Sequence, residues 1–560
     1  MNDFNKKGLY FLPLGGADEI GMNMYVYAVN GKLIVVDAGY GFLNDDYPGM
    51  DMCYASPEFL ENYKDDILGL FITHGHEDHL GAIAQVWPTL QCPVYATEFA
   101  IGLMKERLGE YKLQSIVPLN SVKNNPVVKL GDFEVEFIPM AHTVPETSAL
   151  FIKTPYGNVM HATDWRFDDG KLPMVKTDKA ALKRAAEAGV DIFVCDSTNI
   201  GVEKNQTSEK DVREYLIKMI PELQGGVIAT CFASNIMRLE SLILAARAAG
   251  RTPVIAGRSL MTSVKVAKDC GYLQEYGDIH SIDQVEGITS DKALYICTGS
   301  QANYRSTMTM IANDESKYIK LGADDNVIFS SKIIPSNEEK IEHMQEKMLT
   351  KGVNVITEEE YPVHTSGHAN KKDLKTMYNL LNPKIVLPVH GNKRGIREHK
   401  RFALSCGVKD VFSTQNGDIC LYQDGKIECI EQIPADIMGV DRGRSVSLGS
   451  ALVKNRRRIM YNCTLFISAV ISKDDKLRSL QMSSIDILEE NEWYVLAEEI
   501  LKQVQPLIEK KLSEYTHRSS VEDFIRGQIR RRVFNATEIK PVTTLHIHWE
   551  ADEDKEETAN

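Results

Sequence analysis

A chain of 560 residues, 43% of them hydrophobic, has the length of roughly three or four domains with cores large enough to fold without covalent staples, which excludes a small disulfide scaffold. Its formal net charge of −14 argues against a generally basic coat for nucleic acid and leaves local basic patches as the way to hold a polyanion. The ten cysteines are scattered from Cys53 to Cys463 with no Cys-x-x-Cys pair, a pattern of free thiols in a reducing cytoplasm and not of a thiolate zinc site.

From the start, Met1 to Pro13 has too short an apolar run for a signal peptide or anchor, and no later apolar segment approaches the ~20 residues of a membrane span, so a soluble, cytoplasmic protein is expected. Gly8 to Leu14, Met24 to Val29 and Lys32 to Val36 read as strands, with Asn30-Gly31 as a hairpin turn. Tyr47-Pro48-Gly49-Met50-Asp51 reads as a solvated loop. The apolar run Leu68 to Ile72 is a buried strand, and Gly75 lets the chain turn sharply at its carboxyl end.

That strand leads into Thr73-His74-Gly75-His76-Glu77-Asp78-His79, three imidazoles and a carboxylate within six residues. His74 and His76, two apart on extended chain, can face one metal. Asp78 and His79, at the start of the next helix, can face a second, ~3.5 to 4 Å away. Nitrogen and oxygen donors without cysteine suit zinc or manganese in a hydrolytic centre. A polar loop with chance histidines is the weaker reading, because four such groups are costly to place together without a partner.

Further apolar runs follow, each ending in a polar residue: Val135 to Met140 before His142, Asn158 to Ala162 before Asp164, Asp191 to Cys195 before Asp196-Ser197-Thr198-Asn199, and Ile385 to Val389 before His390. Between the last two, the short apolar strands Val227 to Phe232, Pro253 to Ala256, Leu294 to Cys297 and Asn326 to Ser330 alternate with helical patterns such as Ile236 to Ala249, which implies a parallel, doubly wound sheet. Lys393, Arg394, Arg397, Lys400 and Arg401 crowd one predicted helix with Glu398 as the one acid among them, a cluster suited to phosphates. Arg456-Arg457-Arg458 and Arg530-Arg531-Arg532 are further basic triplets, read as surface. Beyond about residue 445, a strand from Arg458 to Ile471, an apolar helical face through Ile500, Val504 and Ile508, a helix capped by Ser519-Ser520, and a last strand from Thr543 to Trp549 predict a small α/β module. An acidic tail closes the chain and is expected to be disordered.

His-x-His-x-Asp-His after an apolar strand resembles the metallo-β-lactamase superfamily. The resemblance implies that His74, His76 and His142 hold one divalent metal and Asp78, His79 and His390 a second, with Asp164 bridging them. Asp37 resembles the family's first acidic position and would orient the histidine loop. Asp51 lies near where some relatives hold a structural cation. Because His390 then belongs with ligands far upstream, the intervening doubly wound unit is an insertion, as in the β-CASP branch acting on nucleic acids, and Asp196, His368 and His390 match that branch's later acid and histidines.

Val363-His364-Thr365-Ser366-Gly367-His368, Cys231-Phe232-Ala233-Ser234-Asn235, Thr298-Gly299-Ser300-Gln301 and Pro388-Val389-His390-Gly391 narrow the resemblance to the ribonuclease J family over essentially the whole chain. It departs at Ala302-Asn303-Tyr304, where Gly-Glu-Pro is usual, and at Ser336, where a Pro-Gly-Asn-Glu motif has its glycine. The expected fold is α/β: a metallo-β-lactamase αββα sandwich at 1–205 and 356–425, an inserted β-CASP domain at 206–355, a linker at 426–445, a C-terminal α/β domain at 446–549 and the acidic tail at 550–560.

The resemblance implies a ribonuclease carrying two divalent ions, zinc or manganese. It implies 5′-to-3′ exonuclease action on single-stranded, 5′-monophosphorylated RNA together with endonuclease action, and a homodimer or homotetramer assembled with help from the C-terminal domain. Asp78 or Asp164 would take the water proton and His368 would protonate or stabilise the leaving oxygen. His364, Thr365, Ser366, Gly367 and His368 would bind a terminal phosphate, with Ser234 facing them across the cleft. Two rivals use less of the sequence. A small-ester or lactam hydrolase leaves the insertion without a role, and a non-catalytic RNA-binding scaffold leaves the full ligand set without one.

Overall fold

The computed structural model describes residues 4, 6–123, 126–174, 176–203, 206–277, 279–285, 288–334, 337–514 and 517–550. Ser336 and the acidic residues 551–560 lie outside the described residues. The chain divides into two compact units, one of residues 1–42 and 52–439, the other of residues 43–51 and 440–560.

The larger unit is built on two sheets. Leu9–Gly15, Met24–Val29 and Lys32–Val36 are antiparallel neighbours at the centre of an eight-stranded sheet. Asn30 and Gly31 both adopt positive φ, as a tight hairpin with the sheet's own twist requires. Ile67–Phe71 joins Lys32–Val36 in parallel. The seven-stranded sheet contains Phe133–Pro139, Ser148–Thr154, Gly157–Ala162, Ile192–Asp196 and Ile385–Val389 in spatial order. Side chains from both, among them Phe11, Tyr25, Val36 and Phe71 against Val135, Leu150, Val159, Val194 and Leu387, make one buried core. The seven-stranded sheet's other face is covered by helices Lys179–Ala188 and Lys371–Leu381, through Leu182, Leu374 and Met377.

The segment between Asp196 and Ile385 contributes a separate six-stranded sheet, parallel throughout. Val227–Thr230 lies between Ala293–Cys297 and Asn326–Phe329. The strands are short and apolar because both faces are covered, by Leu239, Leu242 and Leu260 on one side and Met308, Ile341 and Met344 on the other.

Part of the expected linker at 426–445 is strand. Lys426–Gln432 pairs with Asp418–Gln423 and forms the edge of the eight-stranded sheet. Asp424 and Gly425, both at positive φ, make the hairpin between them, the same turn chemistry as Asn30-Gly31.

In the smaller unit, Thr464–Ile471 pairs antiparallel with Leu477–Ile485 and parallel with Val542–Trp549. Helices Glu490–Glu514 and Arg518–Thr537 bury Val504, Ile508, Val521, Ile525 and Ile529 with Leu465 and Ile467. Two expectations need correction here. Arg458 to Asn462 is helical, the end of a helix Ala451–Asn462 capped by Ser450, and the strand starts only after Cys463. The later helix begins at Arg518, so Ser519 and Ser520 lie inside its first turn. Among the described residues no helix is long and apolar enough to cross a membrane.

Candidate metal centre

The seven-stranded sheet runs Gly157–Ala162, Ile192–Asp196 and Ile385–Val389 in parallel, while Phe133–Pro139 reaches the same direction through two antiparallel steps. Their carboxyl ends therefore share one rim, which carries His142, Asp164, Asp196 and His390. On the facing sheet, the parallel pair Lys32–Val36 and Ile67–Phe71 delivers Asp37 and His74. Asp37 and His390 are held at φ 64° and 53°, a left-handed backbone uncommon outside glycine. Backbone bonds enforce it: the Asp37 N–H donates to Phe71 O at 2.8 Å, and the His390 N–H to Gly16 O at 2.7 Å.

Three overlapping groups of donors result. His74, His76, His142 and Asp164 form the first, Asp78, His79 and His390 the second, and Asp164, His368 and His390 a third that overlaps both. In the first, His74 Nε2 and His142 Nε2 lie 3.0 and 3.1 Å from the same atom, His76 Nδ1. Burial and the neighbouring His142 drive the His76 ring down to about 3, and three ring nitrogens crowd one point. Asp164 Oδ2 sits 3.3 Å from His142 Nε2, and Oδ1 sits 3.0 Å from His79 Nε2. The carboxylate thus reaches toward the first two groups, yet among the described residues neither oxygen has a well-aligned hydrogen-bond donor although both are fully buried.

Ring nitrogens converging around an unsatisfied buried carboxylate are unfavourable for a metal-free core and fit divalent cations. The second group differs in charge, its surroundings being dominated by carboxylates. His390 Nε2 is 3.1 Å and His79 Nε2 3.6 Å from Asp78 Oδ2. Burial opposes charging His390, but Asp164, Asp196 and Asp78 outweigh it and raise the ring to about 10. So much negative charge around the rings is what a cation would otherwise compensate.

Supporting residues fix the rings. Asp37 Oδ2 accepts from His79 Nδ1 at 2.7 Å, and its carboxylate also takes the Thr73 N–H and hydroxyl. This leaves His79 Nε2 to face the site. Gly39 passes so close to Asp78 that a Cβ would fall 1.7 Å from the Asp78 carbonyl oxygen. Asp196 serves two histidines: its Oδ2 lies 2.9 Å from His368 Nδ1, its Oδ1 3.6 Å from His390 Nδ1 and 2.8 Å from the Thr198 N–H. Burial pushes Asp196 up, yet His368 and His390 hold it down at about 2.

The segment from His364 to His368 divides in two. His364 is buried beside Arg238 Nη1, and Thr365 Oγ1 bonds Arg166 Nη1 and Thr207 O, both at 2.7 Å. Their polar atoms are engaged inside the protein. Ser366 and His368 remain partly open, His368 with a fifth of its side chain exposed. Gly367 is required by packing: its carbonyl accepts from His142 Nδ1 at 2.7 Å, and a Cβ there would lie 2.6 Å from that nitrogen. Ser234 is half-buried, and among the described residues no hydrogen bond ties it to this segment. Asp51 is exposed and belongs to none of the donor groups.

Several contributors went unread in the sequence. Asn199 Nδ2 donates to Ser366 Oγ at 2.8 Å and to His368 O at 3.1 Å, Gln206 Nε2 donates to His368 O at 3.0 Å, and Lys332 Nζ donates to Asn199 Oδ1 at 2.6 Å. Asn23 Nδ2 lies 3.1 Å from His79 Nε2. Buried Arg238 joins the inserted domain to the segment through Ser330, Val363 O and Glu209.

Comparison with known proteins agrees with this geometry. Residues 18–194 match the metallo-beta-lactamase superfamily model, residues 224–348 the model described as "Ribonuclease J, beta-CASP domain", and residues 352–405 the "Zn-dependent metallo-hydrolase RNA specificity domain". The chain is 32% identical to ribonuclease J of Sinorhizobium meliloti, over 96% of its own length and 97% of that protein's. It is 30% identical to ribonuclease J of Helicobacter pylori strain B128, over 98% and 80% of the respective lengths. Among solved structures, a protein of unknown function from Enterococcus faecalis shares the fold with a TM-score of 0.54 at 16% identity, covering 74% of this chain and all of that one.

Proposed function

Because the chain belongs to the ribonuclease J family, whose members are metal-dependent ribonucleases, we propose that it hydrolyses RNA phosphodiester bonds, trimming single-stranded, 5′-monophosphorylated RNA from the 5′ end and also cutting internally. The observation that carries the reading is the set of donor groups, with Asp164 in reach of both His142 and His79, beside a half-open Ser366 and His368. His74, His76 and His142 would hold one divalent ion, Asp78, His79 and His390 another, and Asp164 both, with zinc or manganese as the ions suited to these donors. Bound there, such ions supply Lewis acidity, neutralising charge on the attacked phosphate and making water more nucleophilic.

The protein's own groups supply the rest. Asp78 or Asp164 would take a proton from water, both being carboxylates of the donor groups. His368 has its Nδ1 fixed by Asp196. Burial opposes charging that ring, but Asp196 and Asp164 outweigh it and raise it above its ordinary value, which favours His368 Nε2 as the donor that would protonate or stabilise the leaving oxygen. Ser366 has a hydroxyl hydrogen free for a terminal phosphate, since its oxygen already accepts from Asn199. His364 and Thr365 brace that loop through Arg238 and Arg166. The unit at roughly 206–355 roofs the cleft, so RNA enters as a single strand.

The free cysteines suit a reducing cytoplasm. Exposed Tyr494 and Val495 on the helix Glu490–Glu514 suit self-association into a dimer or tetramer. The deciding experiment compares cleavage of one labelled RNA bearing a 5′-monophosphate or a 5′-triphosphate. Faster mononucleotide release from the monophosphate is expected, and equal rates on both would remove the end-recognition part of the reading.

A further inference from the structure

Lys332 is a cation outside the donor groups. It follows strand Asn326–Phe329 in the inserted sheet, at the carboxyl ends of parallel strands, where α/β sheets present their ligand crevice. Its backbone is clamped: Gln301 Nε2 donates to the Lys332 carbonyl at 2.9 Å, and Gln301 Oε1 accepts from the Ile334 N–H at 2.9 Å. Its ammonium crosses to the catalytic domain and meets Asn199 Oδ1 at 2.6 Å. The other end of that amide holds the Ser366 hydroxyl and the His368 carbonyl.

The side chain is half-buried, and among the described residues no carboxylate lies within ion-pair distance of it. Burial lowers its proton affinity, with only Glu358 and Asp196 opposing from beyond that distance. A partly desolvated ammonium without an acid partner is unfavourable unless an anion completes it. An amide oxygen alone uses one of its three donors.

Resting on the phosphate-pocket reading of Ser366, we propose that Lys332 is a specificity-determining residue whose ammonium supplies the fixed positive charge that favours an RNA 5′-phosphate over an uncharged 5′-hydroxyl. Ser366 contributes shape and a neutral donor. Lys332, one amide removed, contributes charge, and because it is mounted on the inserted domain it makes end recognition depend on that domain's placement over the cleft. The alternative is a purely mechanical tie, in which Lys332 only pins Asn199.

The test uses the full-length enzyme and single-stranded RNA probes of one sequence, ending in a 5′-monophosphate or a 5′-hydroxyl. Their first linkages are methylphosphonates, so that binding is read by fluorescence anisotropy without turnover. Kinetics on all-phosphodiester RNA of both kinds give KM and kcat. Lys332→Met should lower the preference for the phosphorylated end about tenfold, the scale of a lost charge-assisted hydrogen bond, through Kd and KM more than kcat. Lys332→Gln should act likewise, and Lys332→Arg should retain the preference to within about threefold.

Equal weakening on both ends in the Met and Gln variants, or an unchanged preference, overturns the proposal. Ser366→Ala separates it from the reading beneath it. If that variant loses the preference while Lys332→Met keeps it, only the role of Lys332 falls. If the unaltered enzyme shows no preference at all, the pocket falls and Lys332 with it.

Discussion

Asp196 Oδ2 and His368 Nδ1 lie 2.9 Å apart, which leaves His368 Nε2 as the ring nitrogen facing Asp164, 3.8 Å from its Oδ2. A buried acid behind an imidazole fixes its tautomer and stabilises its protonated form. Asp196→Asn keeps the shape and removes the charge. It should lower kcat about 10²-fold or more on linear and circular RNA alike, the range of a general acid that has lost its proton supply, with KM changed little. Unaltered kcat in this variant would remove His368 from the chemistry.

The converging imidazoles make a second expectation direct. His76→Ala removes the atom on which His74 and His142 both converge, and Asp78→Ala removes the oxygen nearest His390 Nε2. Each should abolish exonuclease and endonuclease activity together, with the protein still folded by circular dichroism and its metal content reduced in elemental analysis. Near-normal cleavage by both variants with the metal retained contradicts the two-ion assignment.

Stability should depend on pH through a histidine outside the donor groups. His399 is buried between the Ser197 hydroxyl, 2.8 Å from Nδ1, and the Tyr378 hydroxyl. Burial depresses it to about 4 from an ordinary 6.5. The unfolded chain therefore binds a proton that the folded chain refuses, so this stabilisation is complete above pH 6.5 and is lost as pH falls from there toward 4, by at most about 3 kcal/mol. Urea midpoints across pH 7 to 4.5 should fall less steeply in His399→Gln than in the parent protein. Parallel pH profiles would show that other groups set the dependence.

The histidine motif was legible because its donors follow one apolar run at short spacing, and His142, Asp164 and His390 because each ends a run of the same kind. The doubly wound insertion was legible from its alternation of strand and helix. Contacts that assemble late were not. Lys332 and Asn199 are 133 positions apart, and no periodicity in either segment marks a cation crossing between domains. Elsewhere the misreadings have local causes. Asp424-Gly425 carries the same hairpin chemistry as Asn30-Gly31 and leads directly into the strand Lys426–Gln432, at the start of the expected linker. The stretch before Cys463 holds the apolar run Ile459-Met460-Tyr461, which suits a strand equally well, and the Ser450 cap that commits it to a helix lies eight residues before Arg458.

Salt dependence tests the basic helix Lys393–Ser405. Lys393, Arg394 and Arg397 are all exposed along it, Lys393 with Asp18 at 3.4 Å. Replacing the three with alanine should weaken RNA binding and flatten the plot of log affinity against log salt by roughly 2, at about 0.7 per lost phosphate contact on a single strand. An unchanged slope would mark the cluster as a solvated face.

Ser366 gives the most selective expectation. Its oxygen accepts from Asn199 Nδ2 at 2.8 Å and from the His368 N–H at 3.3 Å, so the hydroxyl hydrogen remains to be donated. Removing the hydroxyl leaves Asn199 Nδ2 still bonded to the His368 carbonyl at 3.1 Å and Gln206 Nε2 to the same oxygen at 3.0 Å, so the loop keeps its position. A terminal phosphate held there fixes the distance to the donor groups and hence the bond that is cut, whereas an internal phosphodiester presents no such terminus. Ser366→Ala should therefore slow mononucleotide release from 5′-monophosphate linear RNA about tenfold, the scale of a hydrogen bond to a charged group, and slow cleavage of circular RNA of the same sequence much less. Initial rates on the two substrates decide it: equal slowing would return Ser366 to a bracing role and detach directionality from this loop, while leaving the nuclease centre at His74, His76 and Asp164 intact.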